Sequence, residues 1–211
     1  MVSRSLPAVG QGPVLRLGTV TSTQDVARDL AIGTIVVADH QIAGRGRSER
    51  RWESPFGTAL LVSFVLRPNP LLSLAAGVAA AEACGSEVRL KWPNDMLLDG
   101  RKVGGILVET TPRKAICGVG INLTWAPAGA AELDQPRDVL FERLSERIGV
   151  RIASSADQVL ARWRQLSATL GRKVRVEVSG QITEGIADDI GSGGELIVDG
   201  VPFVAGSVIH L

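Results

Sequence analysis

The sequence predicts an α+β protein that ends in a small β-barrel, and three observations carry that reading. Up to residue 171, apolar runs of strand length alternate with helix signals. Two amphipathic helices then follow each other directly after an Ala/Gly/Pro-rich loop at 126–136. From Arg172 onward, short strands are separated by Ser-Gly, Gly-Ser-Gly-Gly and Asp-Gly turns, the spacing of a barrel of about 40 residues. The expected division is therefore 1–171 and 172–211, without internal repeats.

LRLGTV (15–20) reads as a first strand. Ser22, three residues before Asp25, reads as a capping-box-like start for a helix carrying Val26, Ala27 and Leu30. TIVVADHQ (34–41) and TALLVSFVLRP (58–68) are apolar strands, the second ended by Pro68 and Pro70. LLSLAAGVAAAEACG (71–85) has the length and alanine content of a buried helix stopped by Gly85. EVRLKWP (87–93) and DMLLDGRKVGGILVET (95–110) read as strands, with Asp99-Gly100 as a hairpin turn, and AICGVGINLTW (115–125) as another. One amphipathic helix should bury Leu140, Phe141, Leu144 and Ile148. The next, after Ser154-Ser155, should bury Val159, Leu160, Trp163, Leu166 and Leu170 and stop at Gly171. The barrel strands are KVRVEV, ITEGIADDI, ELIVD and VAGSVIHL.

At 211 residues and 45% hydrophobic, the chain can bury a substantial core. Its net charge of +1 creates no overall field toward nucleic acid or anionic lipid, so any attraction for anions must be local. Cys84 and Cys117 sit among small and apolar residues and read as buried free thiols. The first dozen residues lack the apolar run of a signal peptide, and no window suits a bilayer span, so a cytoplasmic protein is expected. His40 and His210 lack partners at metal-ligand spacing, and no G-x-S-x-G or GxxxxGK[ST] occurs.

Four stretches carry chemistry. AGRGRSERRWESPFG (43–57) alternates Gly44 and Gly46 with Arg45 and Arg47, so forked cations could reach an anion past an unobstructed backbone; a solvated turn explains it as well. KWPND (91–95) sets Lys91, Trp92, a bend, Asn94 and Asp95 at a strand exit, more than turn chemistry needs. In GRKVGGILVE (100–109), Gly104-Gly105 interrupts a strand, marking either a bulged hairpin or close approach of a ligand, while Asp95 and Lys102 flank the hairpin turn. GVGIN (118–122) places two glycines before Asn122 without a dinucleotide fingerprint.

Together with TSTQD (21–25), these stretches resemble, in order and spacing, the biotin protein ligases of the biotin–[acetyl-CoA-carboxylase] ligase type, and the resemblance covers nearly the whole chain. It implies a mixed β-sheet catalytic domain flanked by helices (class II synthetase-like) followed by an SH3-like barrel. It also implies a short form without a DNA-binding domain or repressor activity. Biotin would be activated by ATP as biotinoyl-5′-AMP, with Mg²⁺ accompanying the nucleotide, then passed to a lysine of a carboxylase's biotin carrier domain. By the same resemblance, Arg47 and Lys102 would hold the biotin carboxylate and α-phosphate, and Asp95 would orient the incoming amine. Ser22, Thr23, Gln24, Gln41 and the backbone of Gly105 would meet the ureido ring, with Gly44, Arg45 and Gly46 completing the biotin site. Arg50, Trp52, Lys91, Asn94 and Asn122 would handle the adenylate.

Two residues depart from the family pattern: Glu49 stands where the arginine loop usually has glycine, and Gln24 where Asn is common. A homodimer through a sheet edge is compatible with the long apolar strands, and no nucleic-acid partner is expected. A lipoate-type ligase is the nearest alternative. A small RNA-binding protein and an inactive biotin-binding sensor are the readings from other classes.

Overall fold

The computed structural model describes residues 12–48 and 50–211, so Glu49 and the N-terminal residues read for a signal lie outside the described residues. A seven-stranded sheet forms the larger layer. Its strands are β1 (Val14–Val20), β2 (Ile35–Gln41), β5 (Ala59–Leu66), β6 (Arg89–Lys91), β7 (Asp95–Leu98), β8 (Arg101–Thr110) and β9 (Ala115–Asn122), in the order β1-β2-β5-β9-β8-β7-β6. The β1–β2 pair is parallel and all other pairs are antiparallel, so the sheet is mixed as expected. Two two-residue strands, β3 (Gly44–Arg45) and β4 (Arg51–Trp52), pair as a hairpin within the arginine loop.

The central strand β5 is buried along its whole length because both of its faces are covered. Leu60, Val62, Phe64 and Leu66 point into the main core. Val65 faces the other way and packs with Ala27, Val36 and Ile116 under α1 (Thr23–Ala27). The main core is closed by α2 (Leu72–Cys84), α3 (Arg137–Ala153) and α4 (Ala156–Leu166). Alanine-rich α2 is buried all round, since it lies against the sheet as well as against α3 and α4. Amphipathic α3 and α4 bury the faces read from their periodicity, Leu140, Phe141, Leu144 and Ile148 on α3 and Val159, Leu160, Trp163 and Leu166 on α4.

The second sheet contains β10 (Lys173–Val178), β11 (Gln181–Ile190), β12 (Leu196–Val198), β13 (Val201–Phe203) and β14 (Ser207–His210), all antiparallel, in the order β13-β12-β11-β10-β14. It fits an SH3-like fold. Its inward residues, among them Val174, Val176, Ile190 and Leu196, belong to the same apolar cluster as the main core. Arg164 ties α4 to the second sheet by donating to the Asp189 carboxylate at 2.6 Å and to the Ile190 carbonyl.

Several element boundaries differ from the sequence reading. α1 spans only five residues and leaves Leu30 outside; the Ser22 side chain caps it by accepting from Gln24 N at 3.2 Å, so no capping box forms. α4 ends at Leu166 instead of running to Gly171. The Ser167 hydroxyl accepts from the Thr169 and Leu170 N–H groups, and Ala168 N donates to the Leu90 carbonyl, so the chain leaves the helix to join the sheet. β13 goes unseen in the sequence because of Pro202, which an edge strand tolerates. The Asp99-Gly100 turn is as read, with φ of 51° and 74° at its two residues, the pattern of a tight hairpin.

Glu82 is the polar tie of the helical layer. It accepts from Arg151 Nη2 of α3 at 2.5 Å and from Arg162 Nε of α4 at 2.8 Å, with its side chain 10% exposed. Burial raises its pKa, but the hydrogen bonds and charges of the two arginines outweigh that, so the carboxylate sits below its ordinary range. Its contribution is therefore present above the unfolded-state value, about pH 4, and is lost as pH falls through the lower folded value. Glu82→Ala should destabilise the fold by about 2–3 kcal/mol, read as a lowered denaturation midpoint at pH 7, and the deficit should shrink in acid.

Candidate active site

The site is built on the sheet face that looks toward α1. Directly paired residues share a face, and four successive pairings align Lys91, Asp95, Gly105, Gly120 and Leu61 in one row across β6, β7, β8, β9 and β5. The next row runs Leu107, Gly118, Ser63. Glycines thus occupy the floor where side chains would fill it.

Each glycine admits a particular group. A Cβ on Gly120 would stand 2.8 Å from Trp52 Cε2, so the indole lies flat on the bare backbone. A Cβ on Gly118 would stand 3.1 Å from Gln24 Cδ, so the Gln24 amide fills that space. Gly105 lies beneath the Lys102 side chain, whose Nζ would be 3.5 Å from an added Cβ. Gly44 does not line the cavity; a Cβ there would collide with the Trp52 carbonyl oxygen and stand 2.9 Å from Gln41 Nε2, so its bareness lets the β3–β4 hairpin close beside that amide.

A bulge explains how Lys102 comes to this face. In a regular strand it would share the core side with Gly104 and Ile106. The β7–β8 register shifts between Met96 and Leu97, so that Met96 pairs with Gly104 while Leu97 pairs with Lys102. Val103 is then fully buried in the core, and Lys102 Nζ lies 2.5 Å from Asp95 Oδ1 on the row's face. Of the two readings of Gly104-Gly105, the register shift bears out the bulged hairpin.

The two arginines of the Gly-Arg-Gly-Arg stretch have opposite surroundings. Arg45 is spent within the protein: its Nη2 lies 2.9 Å from Asp25 Oδ1 and 3.3 Å from Glu109 Oε1. Arg47 instead donates to Asn94 Oδ1 at 3.3 Å. Asn94 is itself fixed, donating from Nδ2 to the Ile106 carbonyl at 2.8 Å and accepting from Ile106 N at 2.9 Å. Arg47, Lys91 and Lys102 thus lie around Asp95, with Arg50 close to the first two. Burial lowers the pKa of Arg47, Arg50 lowers it further, and Asp95 opposes both. Lys91 is lowered for the same reasons, by burial and then by Lys102 and Arg50 against Asp95. Such a cluster is relieved by an anion.

At the opposite end the lining is polar and uncharged. Gln41 Oε1 accepts from Thr23 N at 2.7 Å and from Thr23 Oγ1 at 3.0 Å. The cavity between the two ends measures about 370 Å³, the size of a small-ligand site. Of the residues read from the sequence, Ser22, Thr23, Gln24, Gln41, Arg45, Gly46, Arg47, Arg50, Trp52, Lys91, Asn94, Asp95, Lys102 and Gly105 line it. Asn122 does not; its Nδ2 donates to the Ala131 carbonyl at 3.1 Å, bracing the 126–136 loop.

The sequence reading missed the contribution of the second sheet, Glu177 and Gly206 to Ile209, which carry no signal of composition. It also missed Ser63, the only polar residue in ALLVSFVL, a signal that was legible. Trp92 is a core residue whose Nε1 donates to the Gly194 carbonyl at 3.0 Å. Burial pushes the Cys84 and Cys117 thiols up to about 12, so neither is a nucleophile. His210 hydrogen-bonds Thr169 Oγ1 at 3.1 Å, and burial with Lys91 and Arg172 nearby pushes it down to about 4. Among the described residues, no group of three or more His, Cys, Asp or Glu side chains could hold a metal.

Comparison with known proteins identifies the architecture. Residues 12–124 match the Biotin/lipoate A/B protein ligase family. The chain is 35% identical to the biotin–[acetyl-CoA-carboxylase] ligase of Mycobacterium tuberculosis, over 85% of this chain and 79% of that one. It is 42% identical to the bifunctional ligase/repressor BirA of Bacillus subtilis over 63% of this chain, and that match spans 46% of the relative's length. The biotin protein ligase of Aquifex aeolicus, solved in complex with biotin and ATP, superposes with a TM-score of 0.81 at 26% identity, covering 94% of this chain and 98% of that one.

The glycine floor makes a direct prediction. Gly120→Ala should lift the Trp52 indole and move one of the four indole N–H resonances in a ¹⁵N–¹H spectrum, leaving those of buried Trp92 and Trp163 in place. Four unmoved resonances would contradict the packing described.

Proposed function

Because the chain belongs to the biotin/lipoate A/B protein ligase family, we propose that this cavity is where biotin is joined first to AMP and then to protein. The protein is an ATP-dependent biotin ligase: it activates biotin as biotinoyl-5′-AMP and transfers it to a lysine of a carboxylase's biotin carrier domain. The observation that carries the residue assignments is the convergence of Arg47 and Lys102, from separate stretches of chain, on one cavity. The relatives and structures named above are biotin ligases, which favours biotin over lipoate.

In the first step the biotin carboxylate attacks the α-phosphorus of ATP. A carboxyl–phosphate bond forms, the α–β phosphoanhydride breaks, and pyrophosphate leaves. Negative charge gathers on the α-phosphoryl oxygens, where Arg47 and Lys102 hold it, with Lys91 and Arg50 nearer the leaving phosphates. Mg²⁺ would arrive on the triphosphate and offset the charge of the leaving group. Asp95, set among Arg47, Lys91 and Lys102, is the acidic side chain that could share an ion carried by the nucleotide. In the second step the neutral lysine amine attacks the biotinoyl carbonyl, the bond from that carbonyl to the phosphate oxygen breaks, AMP departs with the electron pair, and the amine's surplus proton is lost to solvent. Asp95 orients that amine; as a base it would be too weak against an ammonium of pKa about 10.

Ser22, Thr23, Gln24 and Gln41 face the ureido ring with the backbone of Gly105, while Gly44, Arg45 and Gly46 frame the site. The Arg45 ion pairs with Asp25 and Glu109 support that framing role over contact with the biotin carboxylate. Trp52, Arg50, Lys91 and Asn94 serve the adenylate, and Asn122 acts at one remove through the loop it braces. We retain 1–171 as the catalytic domain and 172–211 as the barrel, whose Glu177 and Ser207 complete the cavity wall. β1 lies at a sheet edge, which supports pairing with a second copy, and the net charge of +1 supports an enzyme without a nucleic-acid partner. No helix among the described residues is long and apolar enough to cross a membrane.

Incubation with biotin, Mg-ATP and a biotin carrier domain, followed by streptavidin blotting, tests this reading. Arg47→Ala and Lys102→Ala should each lower the labelling rate by about 10²–10³-fold without unfolding the protein. Near-normal labelling by both would refute their roles.

A further inference from the structure

Ser63 lies on the central strand β5, fully buried and outside the cavity lining, on the face where Leu61 and Val65 would lead one to expect a third apolar side chain. A buried hydroxyl is costly unless bonded, and this one makes two bonds, to Thr23 Oγ1 at 2.8 Å and to Gln24 Oε1 at 3.0 Å.

The proton positions follow from a single backbone group. Thr23 N–H can only donate, so the Gln41 atom 2.7 Å away is its oxygen. The Thr23 hydroxyl, 3.0 Å from that same oxygen, donates to it as well. Its one proton is thereby used, so Ser63 is the donor in the Ser63–Thr23 bond. The Gln24 nitrogen faces the Leu107 and Ile116 carbonyls, which fixes its oxygen toward Ser63, and Ser63 shares its proton between the two acceptors. The outcome is a directed run, Ser63 to Thr23 to Gln41, that turns the Gln41 NH₂ away from Thr23. Ser63 also pairs directly with Gly118, whose missing side chain leaves the space that the Gln24 amide occupies.

α1 has five residues, too few to hold its own geometry. Its first two side chains, Thr23 and Gln24, are the ones Ser63 grips. We propose that Ser63 is a positioning residue for selection of a cyclic urea, setting Thr23 and Gln24 for the ureido ring without touching it. The proposal rests on the biotin-ligase reading and adds to it the residue that makes the polar end selective. It predicts an effect confined to ligands that carry the urea.

Biotin-dependent ATP–pyrophosphate exchange provides the test. Ser63→Ala should raise KM for biotin about tenfold, the effect of one lost buried hydrogen bond. KM for ATP should stay within about twofold of the parent protein, as should kcat, since neither depends on that bond. Desthiobiotin, which keeps the urea, should lose affinity by the same factor. The inhibition constant of lipoate, an acid without a urea, should not change. Ser63→Cys, which keeps a weak donor of similar size, should fall between. If Ser63→Ala does not fold, Ser63→Cys alone should still show the loss for biotin and desthiobiotin, with ATP and lipoate unchanged. An unchanged KM for biotin would overturn the proposal, as would equal losses for biotin, ATP and lipoate. Absence of biotin-dependent exchange in the unaltered protein would instead overturn the ligase reading.

Discussion

One bulged residue governs the chemistry of the site. Regular pleating of β8 would bury Lys102 in the core and bring Val103 to the cavity. The register shift opposite Met96 and Leu97 reverses those fates and brings an ammonium within 2.5 Å of Asp95. Sequential pairing across four strands then sets Lys91, Asp95, Gly105 and Gly120 side by side, so charge at one end of the row gives way to bare backbone at the other. The glycines are part of the same arrangement, since the Trp52 indole and the Gln24 amide rest where side chains at 120 and 118 would be.

Electrostatic strain makes the cavity receptive. Arg47 and Lys91 are both lowered by burial and by neighbouring cations, with Asp95 as the opposing charge. Folding therefore leaves an excess of positive charge that the protein does not neutralise, and an anionic ligand supplies the missing partner. A few residues away the opposite has happened: Arg45 is matched by Asp25 and Glu109 and serves to hold the hairpin. One arginine anchors the short, glycine-rich loop while the other turns its guanidinium to Asn94 at the cavity wall.

Much of this was legible in the sequence, and the limits have physical reasons. Periodicity gave the helical faces of α3 and α4, because packing against one side leaves a stripe of apolar residues. The glycine and charge motifs gave most of the cavity lining, since those residue types are unfavourable in a strand without a compensating role. By residue type and spacing alone Arg45 and Arg47 were indistinguishable, because the carboxylates that separate them lie on α1 and β8, distant along the chain. The wall formed by Glu177 and Gly206 to Ile209 was invisible because its pairing depends on how two sheets meet. α4 was read too long because Leu170 keeps the apolar spacing, while the Ser167 turn that ends the helix depends on a contact with Leu90.

The central claim is that Arg47 and Lys102 address one phosphoryl group. A crystal structure of the protein with a non-hydrolysable sulfamoyl analogue of biotinoyl-5′-AMP tests it most directly. The account predicts that the guanidinium of Arg47 and the ammonium of Lys102 both lie within hydrogen-bonding distance of the sulfamoyl group, with the urea ring beside Thr23 and Gln41. An analogue bound with either cation turned away from that group would contradict it.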